Sequence, residues 1–149
     1  FGLRLFLPQE MSQVNYYGMG PMECYRDKHH AASHSSYTAT VWQLHEDYIR
    51  PQENGSHFDC DYVMLSGDAV RLTAVGTQPF SFNASHYTQE ELTRKAHNYE
   101  LEPCGSTVLC LDYAQNGIGS ESCGPRLLEQ YRLDDATFNF GLRLFPEKK

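Results

Sequence analysis

Hydrophobic positions recur at every second residue in short runs along this chain. Phe1, Leu3 and Leu5 alternate with Gly2, Arg4 and Phe6, and the same six letters, FGLRLF, return at Phe140 to Phe145. Phe58, Cys60, Tyr62 and Met64 form a further alternating run, as do Val70, Leu72 and Ala74, and Thr107, Leu109, Leu111 and Tyr113. Successive side chains of a strand point to opposite faces, so each run predicts a half-buried strand. YTATVWQL, rich in β-branched and aromatic residues, predicts another and places Trp42 within it. RPQENGS, VGTQP and EPCGS read as turns, and most connections are short enough for antiparallel hairpins. The two FGLRLF copies are not a sequence repeat, because nothing between them recurs at a fixed spacing. They meet one requirement twice: an apolar face with an outward Arg.

One stretch departs from period two. In TQEELTRKAH, Thr88 is placed to cap a helix and Glu91 to complete a capping box, while Glu90 and Glu91 precede Arg94 and Lys95 in the order the helix dipole favours. This predicts a single helix of about two to three turns from around Gln89 to His97. The remainder predicts an all-β fold, a mainly antiparallel β-sandwich with one short helix, in a single domain over residues 1–149 without an internal linker. A chain of 149 residues is long enough to bury a sizeable core. The strand pattern is already running at Phe1, without an initiator Met or a signal-like lead, so a piece of a longer protein is expected.

Composition narrows the partners. With 40% hydrophobic and 21% charged residues and no apolar run near the ~20 needed to span a bilayer, a soluble chain without a membrane partner is expected. The net charge of -7 and the lack of a Lys/Arg cluster argue against nucleic acid. Five cysteines, an odd number without a C-x-x-C pair, favour reduced thiols and a cytoplasmic location over a disulfide framework, with a periplasmic or secreted protein as the alternative. Asn54-Gly55-Ser56 and Asn83-Ala84-Ser85 match the glycosylation pattern, a match short enough to arise by chance.

Candidate chemistry is sparse. His29, His30 and His34 in DKHHAASH invite a metal, but no H-E-x-x-H and no Cys-rich partner accompanies them, and they read as solvated loop histidines. Glu46-Asp47, Glu90-Glu91 and Asp134-Asp135 read as surface charge, because a glycosidase pair must flank a bond with its pKa values pushed apart. GSESCG lacks the G-x-S-x-G of a nucleophile elbow, and Cys123 as a nucleophile would need a His base that the sequence does not place beside it. No catalytic residue and no metal ligand is assigned.

Four ordered motifs carry a resemblance. NYYGMGPMECYRDKHHAA, YIRPQENGS, PFSFNASHYTQEELTRKAH and LDYAQNGIGSESCGP together resemble the C-terminal domain of lactose-type β-galactosidases of glycoside hydrolase family 2, which is the small chain in split enzymes. The resemblance implies about the C-terminal half of a galactose-mutarotase-like β-supersandwich. It also implies that the acid and nucleophile glutamates, and the magnesium and sodium ligands, lie on a barrel domain outside this sequence, so no cofactor is expected in this chain. What such a domain contributes is a loop at the rim of the galactose pocket, where some members stack a Trp on the second sugar. Aligning NGIGSESCGP places Cys123 near that Trp, with Ser122 and Gly124 as neighbouring rim candidates, and leaves the loop without an aromatic platform. The implied function is a noncatalytic domain of an enzyme of carbohydrate metabolism that hydrolyses terminal non-reducing β-D-galactosides, inactive as an isolated fragment. It would complete the active-site rim and support assembly. The implied partners are the remainder of the β-galactosidase chain or a large subunit, a β-galactoside or acceptor sugar at the rim, and further copies in an oligomer. The alternatives are an autonomous carbohydrate-binding module and a purely interfacial oligomerisation domain.

Overall fold

A computed structural model describes residues 1–118 and 124–149. Strands β1 (Gly2–Pro8), β2 (Gln13–Gly20), β3 (Ser33–Thr40), β4 (Ser56–Ser66), β5 (Val70–Ser85), β6 (Ser106–Asp112) and β7 (Leu142–Lys148) are joined by one short α-helix, α1 (Gln89–Arg94), and three 3-10 turns. The fold is therefore all-β and mainly antiparallel, as the alternation predicts. No helix among the described residues is long and apolar enough to cross a membrane.

The order across the sheet is β1-β6-β5-β4-β2-β3, with β7 also pairing β5. The long β5 makes this possible. Its first half, from Val70 to Gly76, pairs β7, and its second half, from Ser81 to Ser85, pairs β6. Both FGLRLF copies thus lie on strands flanking the same side of β5, with Leu3 opposite Leu111 and Leu144 opposite Ala74. Tyr16, Val63, Leu65, Phe80, Phe82, Leu109 and Leu111 form the centre of one apolar core, closed by Val41 and Leu44. Strand β6 is buried more completely than its half-buried reading. Thr107 through Leu111 are all buried, because Val108 and Cys110 on the second face are covered as well, Cys110 by Gln89 of the helix at 3.1 Å.

Four local expectations are corrected. Trp42 is not in a strand: β3 ends at Thr40 and Val41–Leu44 form a 3-10 turn. The cause is a capping box, in which Thr40 accepts from the Gln43 amide at 3.2 Å while Gln43 accepts from the Thr40 amide at 2.8 Å. The helix ends at Arg94 instead of running to His97. Glu100 takes the Ala96 and His97 amides at 3.1 and 2.9 Å, drawing them away from the helical ladder. VGTQP is not a separate turn but an irregular stretch within β5. Glu91 is not surface charge: it is buried under the helix, paired to Arg94 and accepting from the Glu102 amide at 3.0 Å.

Candidate functional site

The four motifs meet in one hydrogen-bonded hub. Glu23, from the first motif, is buried; it accepts from the Gly55 amide of the second at 2.8 Å and also binds Lys28 and Tyr48. Asn83, from the third, donates to the Asn54 carbonyl, and Gln115, from the fourth, donates to Ser56 Oγ and Asp112 Oδ2 at 3.2 Å each. Burial alone would raise the Glu23 carboxyl, but the donors Lys28, Tyr48 and Gly55 N–H overcome it and hold the group below the usual carboxylate range. The group is thus a fixed anion rather than a proton donor. Asn54 and Asn83 are both buried with their amides engaged, so neither can accept a glycan where it sits.

From this hub the chain enters the predicted rim loop. The Ile118 amide donates to Asp27 Oδ1 at 3.1 Å, and Asn116 accepts from the Leu133 amide at 2.8 Å. Gly117 is required for that approach, since a Cβ there would lie 2.0 Å from the Asp27 carboxylate. The first and fourth motifs are thereby locked together at the root of the loop. Of the three rim candidates, Ser122 and Cys123 lie outside the described residues; Gly124 is exposed, with nothing within 4 Å of an added Cβ.

The histidines do not converge. His29 is within 3.1 Å of the Tyr25 carbonyl and its ring lies 4.9 Å from His30, whereas His34 turns away to the Asp59 carbonyl at 3.0 Å. Among the described residues no group of three His, Cys, Asp or Glu side chains could hold a metal ion. Cys24, Cys60 and Cys110 are buried free thiols, and burial pushes Cys110 up to about 11. Trp42 stands half-exposed on its turn, its ring 4.6 Å from His86 and remote in sequence from the rim loop.

Reading the sequence identified the motifs but missed the residues that join them: Glu23, Asp27, Asn54, Asn83 and Gln115. The available signal was chemical, a carboxylate or amide within each motif close to a glycine or turn. Nothing in the spacing shows that they pair across 29 to 91 residues of chain.

A family described as the beta-galactosidase small chain matches residues 1–144. Relatives include proteins named beta-galactosidase from Actinobacillus pleuropneumoniae, 49% identical over 99% of this chain, from Staphylococcus xylosus, 44% over 97%, and from Arthrobacter sp. (strain B7), 34% over 96%. The chain spans only 14 to 15% of the length of these relatives.

Proposed function

The chain belongs to the beta-galactosidase small-chain family, and from that premise we propose that it is a noncatalytic domain of a glycoside hydrolase family 2 enzyme that cleaves terminal β-D-galactosides of the lactose type. The observation that carries this reading is identity of 49% across nearly the whole chain to a relative about seven times as long. A domain so small a fraction of an enzyme leaves room for the retaining pair and its magnesium and sodium ions elsewhere. In this reading they lie on the barrel domain of the parent enzyme. Residues 1–149 act as one domain, completing a supersandwich with the segment that precedes it in the parent.

Within that enzyme the loop after Gln115 forms part of the pocket rim. The Asp27 to Ile118 and Asn116 to Leu133 hydrogen bonds support this, because they fix the root of the segment that runs on in sequence to Ser122, Cys123 and Gly124. A Cys at the lip offers no stacking face, so second sugars are held weakly. The enzyme works in the cytoplasm in lactose catabolism, as an oligomer whose assembly this domain supports.

The test uses the complete enzyme. Cys123→Trp should tighten glucose-like acceptors and raise transglycosylation, with hydrolysis of a galactoside bearing a small leaving group nearly unchanged, since stacking on the second sugar acts on binding rather than on bond cleavage. Unchanged acceptor affinity would remove Cys123 from the rim. The isolated chain should show no turnover of a chromogenic galactoside, and turnover by rigorously purified material would overturn the noncatalytic assignment.

A further inference from the structure

The register between β4 and β5 breaks twice, and a recess opens beside the breaks. Tyr62 pairs Val75 but Cys60 pairs Phe80, and two steps of pairing later His57 meets Phe82. Phe58 and Asp59 therefore oppose the single residue Ser81, which is a β-bulge, and Gly76 to Pro79 swell out on the other strand. Bulges re-aim side chains and are over-represented beside binding sites. Here they border a cavity of about 230 Å³ lined by Arg26, Asp59, Gln78, Ser81, Tyr113 and Asp135, among others.

Three features distinguish this recess from an ordinary surface dent. Asp59 holds a left-handed backbone, φ 55°, and among the described residues no other side-chain-bearing residue does. Strain of that kind persists where surrounding structure imposes it, and it gathers at binding sites. The side chains of Arg26, Gln78 and Asp135 make no hydrogen bond or ion pair among the described residues, so donors and acceptors of both kinds face the space unused. Tyr113 is held rigid by a stack on Phe138 at 4.7 Å and 17°. One cation against two carboxylates disfavours an anionic ligand, whereas carboxylate, guanidinium and amide beside an aromatic ring match the hydroxyls and C–H faces of a sugar. The volume is below that of drug-sized pockets, about 300 Å³ upward, and fits one ring.

We propose that this recess binds a single neutral pyranose unit, with Asp59 and Arg26 taking hydroxyls. Tyr113 and Ala114 on its wall directly precede Gln115, so the site sits at the root of the rim loop and would receive a sugar beyond the one being cleaved. The choice of a sugar rests on the functional reading above; the recess and its unpaired groups do not.

The test is photoaffinity labelling of the full-length chain that carries this domain, with a diazirine-bearing methyl β-D-glucopyranoside and mapping by mass spectrometry. Label is expected on peptides containing residues 78–81 or 113–114, suppressed by excess methyl β-D-glucopyranoside. Arg26→Ala and Asp59→Gly should each lower it at least fivefold. Glycine adopts φ 55° without strain, so Asp59→Gly is expected to keep the melting temperature; should it fall, Arg26→Ala alone decides. No label on these peptides, equal label in Arg26→Ala, or equally strong suppression by glucose 6-phosphate would each overturn the proposal. Hydrolysis without label overturns this inference alone, and label without hydrolysis overturns the functional reading alone.

Discussion

At the scale of single residues, two buried groups weaken the chain as it meets acid. His57 lies in an aromatic stack, its ring 4.5 Å from Tyr16 and 5.1 Å from Phe82, with Nδ1 within 3.0 Å of the Tyr16 hydroxyl and 3.2 Å of the Met19 carbonyl. Burial holds its imidazole down to about 4, against the pull of the Met19 carbonyl and the Glu23 charge. An unfolded His takes its proton near ~6.5, before the folded one can, so stability is complete above that pH and declines as pH falls towards 4, by up to about 3 kcal/mol. Glu23 acts lower: its contribution is complete above the ordinary carboxylate value of ~4.3 and is lost as pH drops through its depressed folded value. Glu53, pushed up to about 7 by burial and by the Asp112 and Glu23 charges, gains stability as pH falls over the same range, so the His57 part is read as a difference. Urea midpoints measured from pH 7.5 to 3.5 should lose less between pH 6.5 and 4.5 in His57→Phe than in the parent, and both should fall alike below that range; an unchanged slope between pH 6.5 and 4.5 would show that His57 titrates normally. Gly18 offers a separate check. An added Cβ there would lie 2.3 Å from Cys60 Sγ and 2.9 Å from its backbone, so Gly18→Ala should lower unfolding free energy by ~1–3 kcal/mol.

At the scale of elements, α1 is short enough for its cap to matter. Thr88 Oγ1 accepts from the Glu91 amide at 3.1 Å, and Thr88→Ala should cost about 1 kcal/mol and speed hydrogen exchange at Glu91. Normal protection there would show that packing alone holds the turn. The Thr88 half of this cap was legible in the sequence because it is local, although Glu91 turns to the Glu102 amide and Arg94 instead of closing the predicted box. The strands with Val, Leu or Phe on their inward positions were legible by their alternation, but in β4 the buried face past the bulge is Val63 and Leu65 and not Tyr62 and Met64. Strand β2 was not legible. Its buried positions are Val14, Tyr16, Gly18 and Gly20, in strict alternation with Asn15, Tyr17 and Met19, but glycine fills two inward places to make room for Cys60 and Tyr16. Period two is present there in burial and absent in hydrophobicity. The 3-10 turn at Trp42 shows the converse: β-branched composition favoured a strand, and one T-x-x-Q pair redirected the backbone. Of the candidate site, the motifs were legible and their junction was not, since Glu23 to Gly55 and Asp27 to Ile118 are tertiary pairings with no local trace.

At the scale of the whole molecule, the two FGLRLF copies have a shared position as well as a shared pattern. Among the described residues β1 pairs only β6 and β7 only β5, so both present an unpaired edge on one flank of the sheet. Their inward residues Leu5, Leu7 and Leu142 pack against the core, while Phe6, at 57%, and Phe145, at 48%, are left open to solvent. Where the strands approach, Leu7, Pro8, Met11, Leu72 and Pro146 line an apolar recess of about 450 Å³. Unpaired backbone beside exposed aromatic rings is a template for association, which native sheets ordinarily cover or charge. The outward Arg4 and Arg143 blunt it only in part, Arg4 being drawn towards Glu90 at 2.9 Å. The isolated chain should therefore self-associate through this flank, with a sedimentation coefficient that rises with concentration. Phe6→Lys combined with Phe145→Lys should keep it monomeric and change unfolding free energy by less than about 1 kcal/mol, because both side chains are surface groups. If the double variant associates as strongly as the original chain, the contact lies elsewhere; the opposite edge, β3, is then the next to charge.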